Sequence, residues 1–274
     1  MIKKIINHIK IKKNIDINGY EDKFVREQIE DRIIQIHAKS YSDYFNRIKT
    51  DAFELDKLTE RLSNNTSRFF RKPLLFEYLY SVLLPELISA KGKEDDYSLR
   101  IWSAGCSQGQ EPYSVAILLN ELPNGLENFN VNIFSSDVNN ENLRKANSAL
   151  YNFESIKNVK YGLLKKYFIQ REEEFELATS VKEMVQFSKF DLLDLKHQSP
   201  PESIFGNFDI ILCCNVLMYY KAGYKEIIFN KLYKNLTPGG YLILGESEEL
   251  PEKYRDIFLK TFNQENIYKK LNLI

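Results

Sequence analysis

The sequence predicts an α/β protein, with a mostly parallel sheet covered by helices on both faces. An all-helical segment precedes the sheet, and a small antiparallel insertion interrupts it. Three observations carry this prediction. Over 2–62 apolar residues such as Val25, Ile29, Ile33 and Ile36 recur at helical steps, with glycine only at Gly19 and no proline. Beyond a lysine-rich turn at 91–96 the texture changes to short apolar runs alternating with helical stretches, the pattern of a parallel sheet with crossover helices. Between 167 and 187 three short pieces, 167–169, 174–178 and 182–187, read instead as antiparallel strands.

Taken in order, the helical segment ends in a polar knot at 64–71, and 74–88 is helical again. Strands are expected at 99–103, 132–136, 185–190, 208–213, 241–245 and 266–271, with helices at 110–122, 139–148 and 225–236. The division that follows is a helical domain over 1–72 and an α/β domain over 73–274, the latter carrying the insertion at about 153–187.

Composition narrows the function classes. Thirty-eight Lys and Arg balance 38 Asp and Glu, so no basic footprint points to nucleic acid. The cysteines Cys106, Cys213 and Cys214 make no even disulfide framework and read as reduced and structural. Residues 1–13 alternate Ile with Lys and do not form a signal peptide, and no run reaches the ~20 apolar residues of a membrane span. A cytoplasmic protein, neither exported nor membrane-inserted, is the expectation.

Four signals carry chemistry. Ile101 to Pro112 is an apolar strand, a loop with Gly105 and Gly109, and a helix start, where a doubly wound sheet binds ligands. It lacks both the dinucleotide glycine spacing and the lysine of a phosphate loop, so a cofactor without a phosphate chain fits; a tight turn with no ligand gives the same glycines. Asp137 ends the next strand, either to accept ribose hydroxyls or to cap the following helix. The run 208–220 is a buried strand leading to Asn215 and a tyrosine pair, Tyr219 and Tyr220. Thr237-Pro238-Gly239-Gly240 is a turn whose glycines need no ligand.

Together these resemble the class I S-adenosylmethionine-dependent methyltransferases, which have a Rossmann-like domain. A narrower resemblance is to the CheR family of chemotaxis-receptor, protein-glutamate O-methyltransferases. It rests on Asn65-Thr66-Ser67-Arg68-Phe69-Phe70-Arg71, on Ala104 to Ser114, on Asn215 to Tyr220 and on Gly245-Glu246-Ser247-Glu248, in that order, and runs from about Asn18 almost to the C-terminus. It implies a helical N-terminal domain that recognises substrate, a Rossmann-like catalytic domain and a β-subdomain inserted into it. It also implies that S-adenosylmethionine is the cofactor, S-adenosylhomocysteine the product, and that no metal takes part. Asn65, Ser67 and Arg71 would line the methionine end, the Arg71 fork suiting the cofactor carboxylate. Glu111 would neutralise the α-ammonium or hold Arg71, and Asp137 would take the ribose. Asp191 and the Leu192 backbone would frame the adenine, and Cys214 and Asn215 would close the pocket beneath it. Gly105 would let the backbone approach the cofactor, and Tyr219 would wall the transferring methyl group.

Plainer readings stand beside these: a surface ion pair for Arg71 and Glu111, a turn cap for Asp191, core packing for Cys214 and Tyr219. Asp191 stands where the family commonly has Asn, and Cys214 where it often has Arg. In place of the family's basic helix, Lys23, Arg26, Arg32 and Lys39 are outnumbered by Glu21, Asp22, Glu27, Glu30 and Asp31. The segment 168–175 has no glycine and carries Glu172, Glu173 and Glu174, which predicts recognition without a C-terminal peptide tether. The acceptor implied is a glutamate of a chemoreceptor or related signalling protein, and the enzyme would act as a monomer. The rivals are a methyltransferase with another acceptor and a non-catalytic cofactor-binding module.

Overall fold

The structure is a computed structural model that describes residues 1–63, 67–123, 126–203 and 205–272. The chain divides into two compact units, Met1–Thr66 with Leu217–Glu226, and Ser67–Val216 with Ile227–Ile274.

The first unit contains α1 (Ile2–Lys13), α2 (Asp22–Gln35), α3 (Tyr41–Thr50) and α4 (Ala52–Leu62). The Ser40 hydroxyl accepts the Asp43 N–H and starts α3; the Asp51 carboxylate accepts the Glu54 N–H and starts α4. Ile5, Ile9, Ile29, Ile48 and Leu58 fill the interior. A polar network lies among them. Glu54, 4% exposed, accepts from Arg32 Nε at 2.9 Å and, through its other oxygen, from Arg32 Nη2, while the Tyr44 hydroxyl donates to it at 2.8 Å. Such a two-pronged, fully partnered carboxylate fixes which faces of α2, α3 and α4 meet. The segment 217–226 adds an edge-on contact between the Tyr20 and Tyr220 rings, 4.8 Å apart.

The second unit opens with α5 (Pro73–Tyr78), a π turn at Leu79–Leu83 and α6 (Leu84–Lys93). This continuous helix, Pro73–Lys93, passes for a membrane span by length and composition alone, which is weak evidence for one, and Glu77, Glu86, Lys91 and Lys93 interrupt its apolar run. Its Leu75, Phe76, Leu79, Leu83 and Leu84 pack into the unit's core. The sheet elements follow: β1 (Ser98–Ala104), α7 (Gln110–Glu121), β2 (Asn130–Asp137), α8 (Asn140–Ser148), β3 (Leu150–Asn152), α9 (Phe153–Ile156), α10 (Tyr161–Tyr167), β4 (Phe168–Arg171), β5 (Glu174–Leu177), α11 (Thr179–Lys182), β6 (Val185–Lys189), β7 (Phe208–Cys213), α12 (Ala222–Asn235), β8 (Leu236–Leu244), β9 (Phe258–Phe262) and β10 (Ile267–Lys270).

The large sheet runs β6-β2-β1-β7-β8-β10-β9, parallel except where β10 pairs antiparallel with β8 and β9. Strand order therefore reverses between β1 and β7. β7 is buried throughout and β1 from Ile101 onward, as strands covered on both faces must be.

Three details differ from the sequence reading. The small sheet, β3-β5-β4, draws its third strand from Leu150–Asn152, whereas Val185–Lys189 pairs with β2 in the large sheet. Three residues are too few to show a period of two. β9 was not expected, because an edge strand whose middle faces solvent has no apolar signature. The Thr237 to Gly240 turn lies inside β8 as a bulge: Phe208 pairs with Leu236 but Ile210 with Tyr241.

The buried network of the first unit generates a stability prediction. Glu54→Ala leaves the half-buried Arg32 guanidinium without its carboxylate and should cost about 1–3 kcal/mol, measured by urea unfolding, whereas loss of the exposed Lys23–Glu27 pair through Lys23→Ala should cost about 0–0.5 kcal/mol. Equal effects would show that the network contributes no more than a surface pair.

Candidate cofactor site

Strand order reverses between β1 and β7, where open parallel sheets bind ligands at the carboxyl ends of their strands, and the loops there carry most of the predicted residues. After Ala104 the chain turns at Gly105, φ 80°. A Cβ on Gly105 would stand 2.5 Å from a Val216 methyl group, so only glycine lets the loop after β1 pass the loop after β7. The Gly105 and Cys106 N–H groups both donate to the Ser136 carbonyl, at 2.8 and 2.9 Å, and the Tyr151 hydroxyl donates to the Gln108 carbonyl at 2.8 Å. The glycine loop is thereby stitched to the end of β2 and to the small sheet.

Two carboxylates face this loop. Asp137 accepts the Ser107 N–H at 2.9 Å, the Asn139 N–H at 2.8 Å and the Asn142 amide at 3.2 Å. The cap of α8 is Asn139, whose side chain accepts the Glu141 N–H, so Asp137 is not the cap. Burial pushes the Asp137 carboxyl up to about 6 despite these donors. Glu111, in the first turn of α7, accepts the Ser103 hydroxyl at 2.7 Å. Burial raises its pKa above the ordinary carboxylate value; hydrogen bonds from Ser103 and Cys214 and the charge of Arg71 pull the other way.

Beyond β7, Cys213 is fully buried but Cys214 is only partly so, with its thiol 3.9 Å from the Ile243 carbonyl. Asn215 follows with φ 60°, and its N–H donates to Glu248 at 2.9 Å. Left-handed backbone recurs within the motif blocks: Phe70 at φ 49° and Ser107 at φ 51° join Asn215. For Phe70 and Ser107 this costs roughly 1–2 kcal/mol each, less for Asn215, and strain of this kind collects at functional sites. The Ser107 hydroxyl and the Gln110 side-chain carbonyl are buried with no partner among the described residues. A glycine-bearing cradle, buried carboxylates and an unsatisfied hydroxyl suit a ligand rich in hydroxyl and ammonium donors, as an adenosine joined to an amino acid is.

The remaining predicted residues fall as follows. The Asp191 carboxylate accepts the Leu193 N–H at 2.8 Å, the plain turn contact, and Leu192 is 6% exposed. Their segment is tied to the site because the Phe190 N–H donates to the Asp137 carbonyl at 3.1 Å. Ser67 is half-buried and Arg71 exposed, and Asn65 lies outside the described residues. Tyr219 groups with the first unit, its ring centroid 4.7 Å from that of Phe24. The structure thus brings Gly105, Glu111, Asp137, Cys214 and Asn215 to one end of the sheet. Sequence reasoning assigned no role to Glu248 or to Lys231. Lys231, 3% exposed, donates to the Asp194 and His197 carbonyls at 2.5 and 3.0 Å and so holds the segment after Asp191. No group of His, Cys, Asp and Glu able to hold a metal occurs among the described residues.

A helical N-terminal unit followed by this sheet, with a glycine turn after β1, an acid ending β2 and Asn215 after β7, defines a class I S-adenosylmethionine-dependent methyltransferase fold. Residues 65–267 match the CheR methyltransferase, SAM binding domain, and residues 1–63 the CheR methyltransferase, all-alpha domain. The chain belongs to the CheR methyltransferase family, and its cofactor is S-adenosylmethionine. It is 32% identical over 216 residues to the chemotaxis protein methyltransferase of Borreliella burgdorferi, covering 77% of this chain and 75% of that one. It is 32% identical over 226 residues to chemotaxis protein methyltransferase 1 of Pseudomonas aeruginosa, covering 79% of each. With chemotaxis protein methyltransferase 2 of Vibrio cholerae it shares 29% over 250 residues, covering 90% of this chain and 84% of that one.

The elevated Asp137 pKa gives a pH dependence. If ribose hydroxyls donate to this carboxyl, the ionised form binds better, so affinity for S-adenosylhomocysteine should be weak below pH 6, rise through about pH 6 and level off above it. Calorimetry between pH 5 and pH 8 (roughly one unit below and two above that midpoint) reads it directly. Asp137→Asn should bind weakly without the inflection; an unchanged profile in that variant would assign the titration elsewhere.

Proposed function

We propose that this protein transfers the methyl group of S-adenosylmethionine to glutamate side-chain carboxylates of a chemoreceptor or related signalling protein, acting as a monomer in the cytoplasm. The observation that carries this reading is family membership, with relatives that are chemotaxis protein methyltransferases. In the proposed site, Arg71 takes the cofactor carboxylate and Ser67 lines the same end of the cofactor; the part of Asn65, which lies outside the described residues, is carried by the resemblance alone. Glu111 faces the ammonium, Asp137 the ribose hydroxyls, Asp191 and the Leu192 backbone the adenine, and Cys214 and Asn215 close the floor. Tyr219 as the wall around the methyl group is carried by the resemblance alone.

The chemistry agrees with the residues gathered there. S-adenosylmethionine supplies an electrophilic methyl group, whose bonding electrons pass to sulfur as the acceptor oxygen bonds to carbon. A glutamate acceptor, with an unperturbed pKa near ~4.3, is already ionised at neutral pH and needs no general base. The protein's task is to align that oxygen and exclude water. His197 pairs with Asp194 at 2.6 Å on the exposed surface and takes no part in this proposal.

For partner recognition we favour docking without a C-terminal peptide tether. The hairpin joining β4 to β5 turns through Glu172 and Glu173, both exposed, and Glu172 adopts φ 52°. This acidic tip would repel a terminal carboxylate.

The deciding experiment incubates the protein with S-adenosylmethionine and cytoplasmic receptor fragments, measuring S-adenosylhomocysteine release and alkali-labile methanol. Methanol release supports the ester; turnover without it points to a different acceptor, and binding without turnover to a non-catalytic module. Arg71→Ala, which removes a charge-assisted contact of about 1.5–3 kcal/mol, should weaken cofactor binding about tenfold or more. An unaltered dissociation constant would take Arg71 out of the site.

A further inference from the structure

One buried acid has no part in the roles above. Glu248 is 3% exposed, and its Oε2 accepts the Asn215 N–H at 2.9 Å and the Gly245 N–H at 2.6 Å. Asn215 follows β7 and Gly245 follows β8, so a single oxygen ties together the ends of two neighbouring parallel strands. A Cβ on residue 245 would stand 2.7 Å from the Asn215 nitrogen and 2.7 Å from that same oxygen. The approach exists only because the position is glycine.

The segment that carries Glu248 is itself held. Asn266, directly before β10, donates through its side-chain amide to the carbonyls of Gly245 at 2.8 Å, Glu246 at 3.2 Å and Glu248 at 2.7 Å. Asn215, at φ 60°, occupies the left-handed region, which asparagine tolerates better than most residues and which its surroundings here select. Glu248, the bare backbone of Gly245 and the Asn266 amide are those surroundings.

We infer that Glu248 is a positioning residue of this methyltransferase: it holds Asn215 in its left-handed conformation at the floor of the cofactor site, with Asn266 bracing it from β10. The inference rests on the cofactor role proposed for Asn215. A purely electrostatic part for Glu248 is the competing account, because its charge also raises the pKa of Glu111. The two separate cleanly, since Glu248→Gln keeps an oxygen acceptor and removes the charge, while Glu248→Ala removes both.

The test is calorimetry of S-adenosylhomocysteine binding to the full chain, well below the melting transition. Ile210→Val, in the core of the same sheet, controls for general loss of stability. With two buried N–H groups unpaired, Glu248→Ala should bind about tenfold or more weakly, Glu248→Gln within about threefold of wild type, Asn266→Ala about threefold to tenfold weakly, and Ile210→Val within about twofold. A folded Glu248→Ala protein with near wild-type affinity overturns the inference, as does Glu248→Gln as weak as Glu248→Ala. Should Glu248→Ala not fold, Asn266→Ala decides, and unchanged affinity there overturns it too. Wild-type protein that binds no S-adenosylhomocysteine removes the cofactor site itself, a different failure from loss of the brace alone.

Discussion

The close passage of the loop after β1 beneath the loop after β7 is the constraint on which the second unit's site depends. Gly105 and Val216 cannot both have side chains where they meet, and this contact sits where strand order reverses. From it follow the turn at Ser107, the delivery of the Ser107 N–H to Asp137, and the placing of Glu111 in the first turn of α7. The site's place is therefore a product of topology, and its chemistry comes from the polar groups that topology leaves at the strand ends.

Those groups are held against their own preferences. Asp137 receives three donors and still has its pKa raised, so desolvation outweighs hydrogen bonding there. Glu111 is likewise raised although Ser103, Cys214 and Arg71 favour its charge. Carboxyls kept at a disadvantage in the protein alone are the groups a ligand's hydroxyls and ammonium would relieve. In the first unit the Arg32, Glu54 and Tyr44 network supplies its own countercharge and donors.

Much of this was legible in the sequence because it depends on local pattern. The run Phe208 to Cys213 could only be a strand covered on both sides, and Gly105, Asp137 and Asn215 were found from their places after strands. What escaped depends on contacts remote in the chain. Glu248 lies among Glu246 and Glu249, and nothing in that acidic stretch says that one carboxylate turns inward to Asn215, 33 positions earlier. Lys231 resembles any helix lysine until its amine is seen among backbone carbonyls, and Leu150–Asn152 is too short to announce a strand. Local periodicity fixes faces; it does not report which distant loop a buried charge must satisfy.

The two departures from the family pattern acquire physical sense in this setting. Cys214, where the resemblance leads one to expect an arginine, offers Glu111 only a weak donor, and Arg71 favours the Glu111 charge; burial still raises the carboxyl's pKa. At position 191 a carboxylate replaces an amide, which adds a negative charge next to a half-buried turn. The charge has company: the Lys231 amine lies over the Phe190 ring, 4.6 Å from its centroid, and Asp191 is among the groups that favour its protonation. Burial lowers the Lys231 pKa more than these acids raise it. The segment that frames the adenine in the proposed site is thus tied down by a cation bonded to two backbone carbonyls. An amide at 191 would remove one of the two charges, Asp194 and Asp191, that favour protonation of that buried amine.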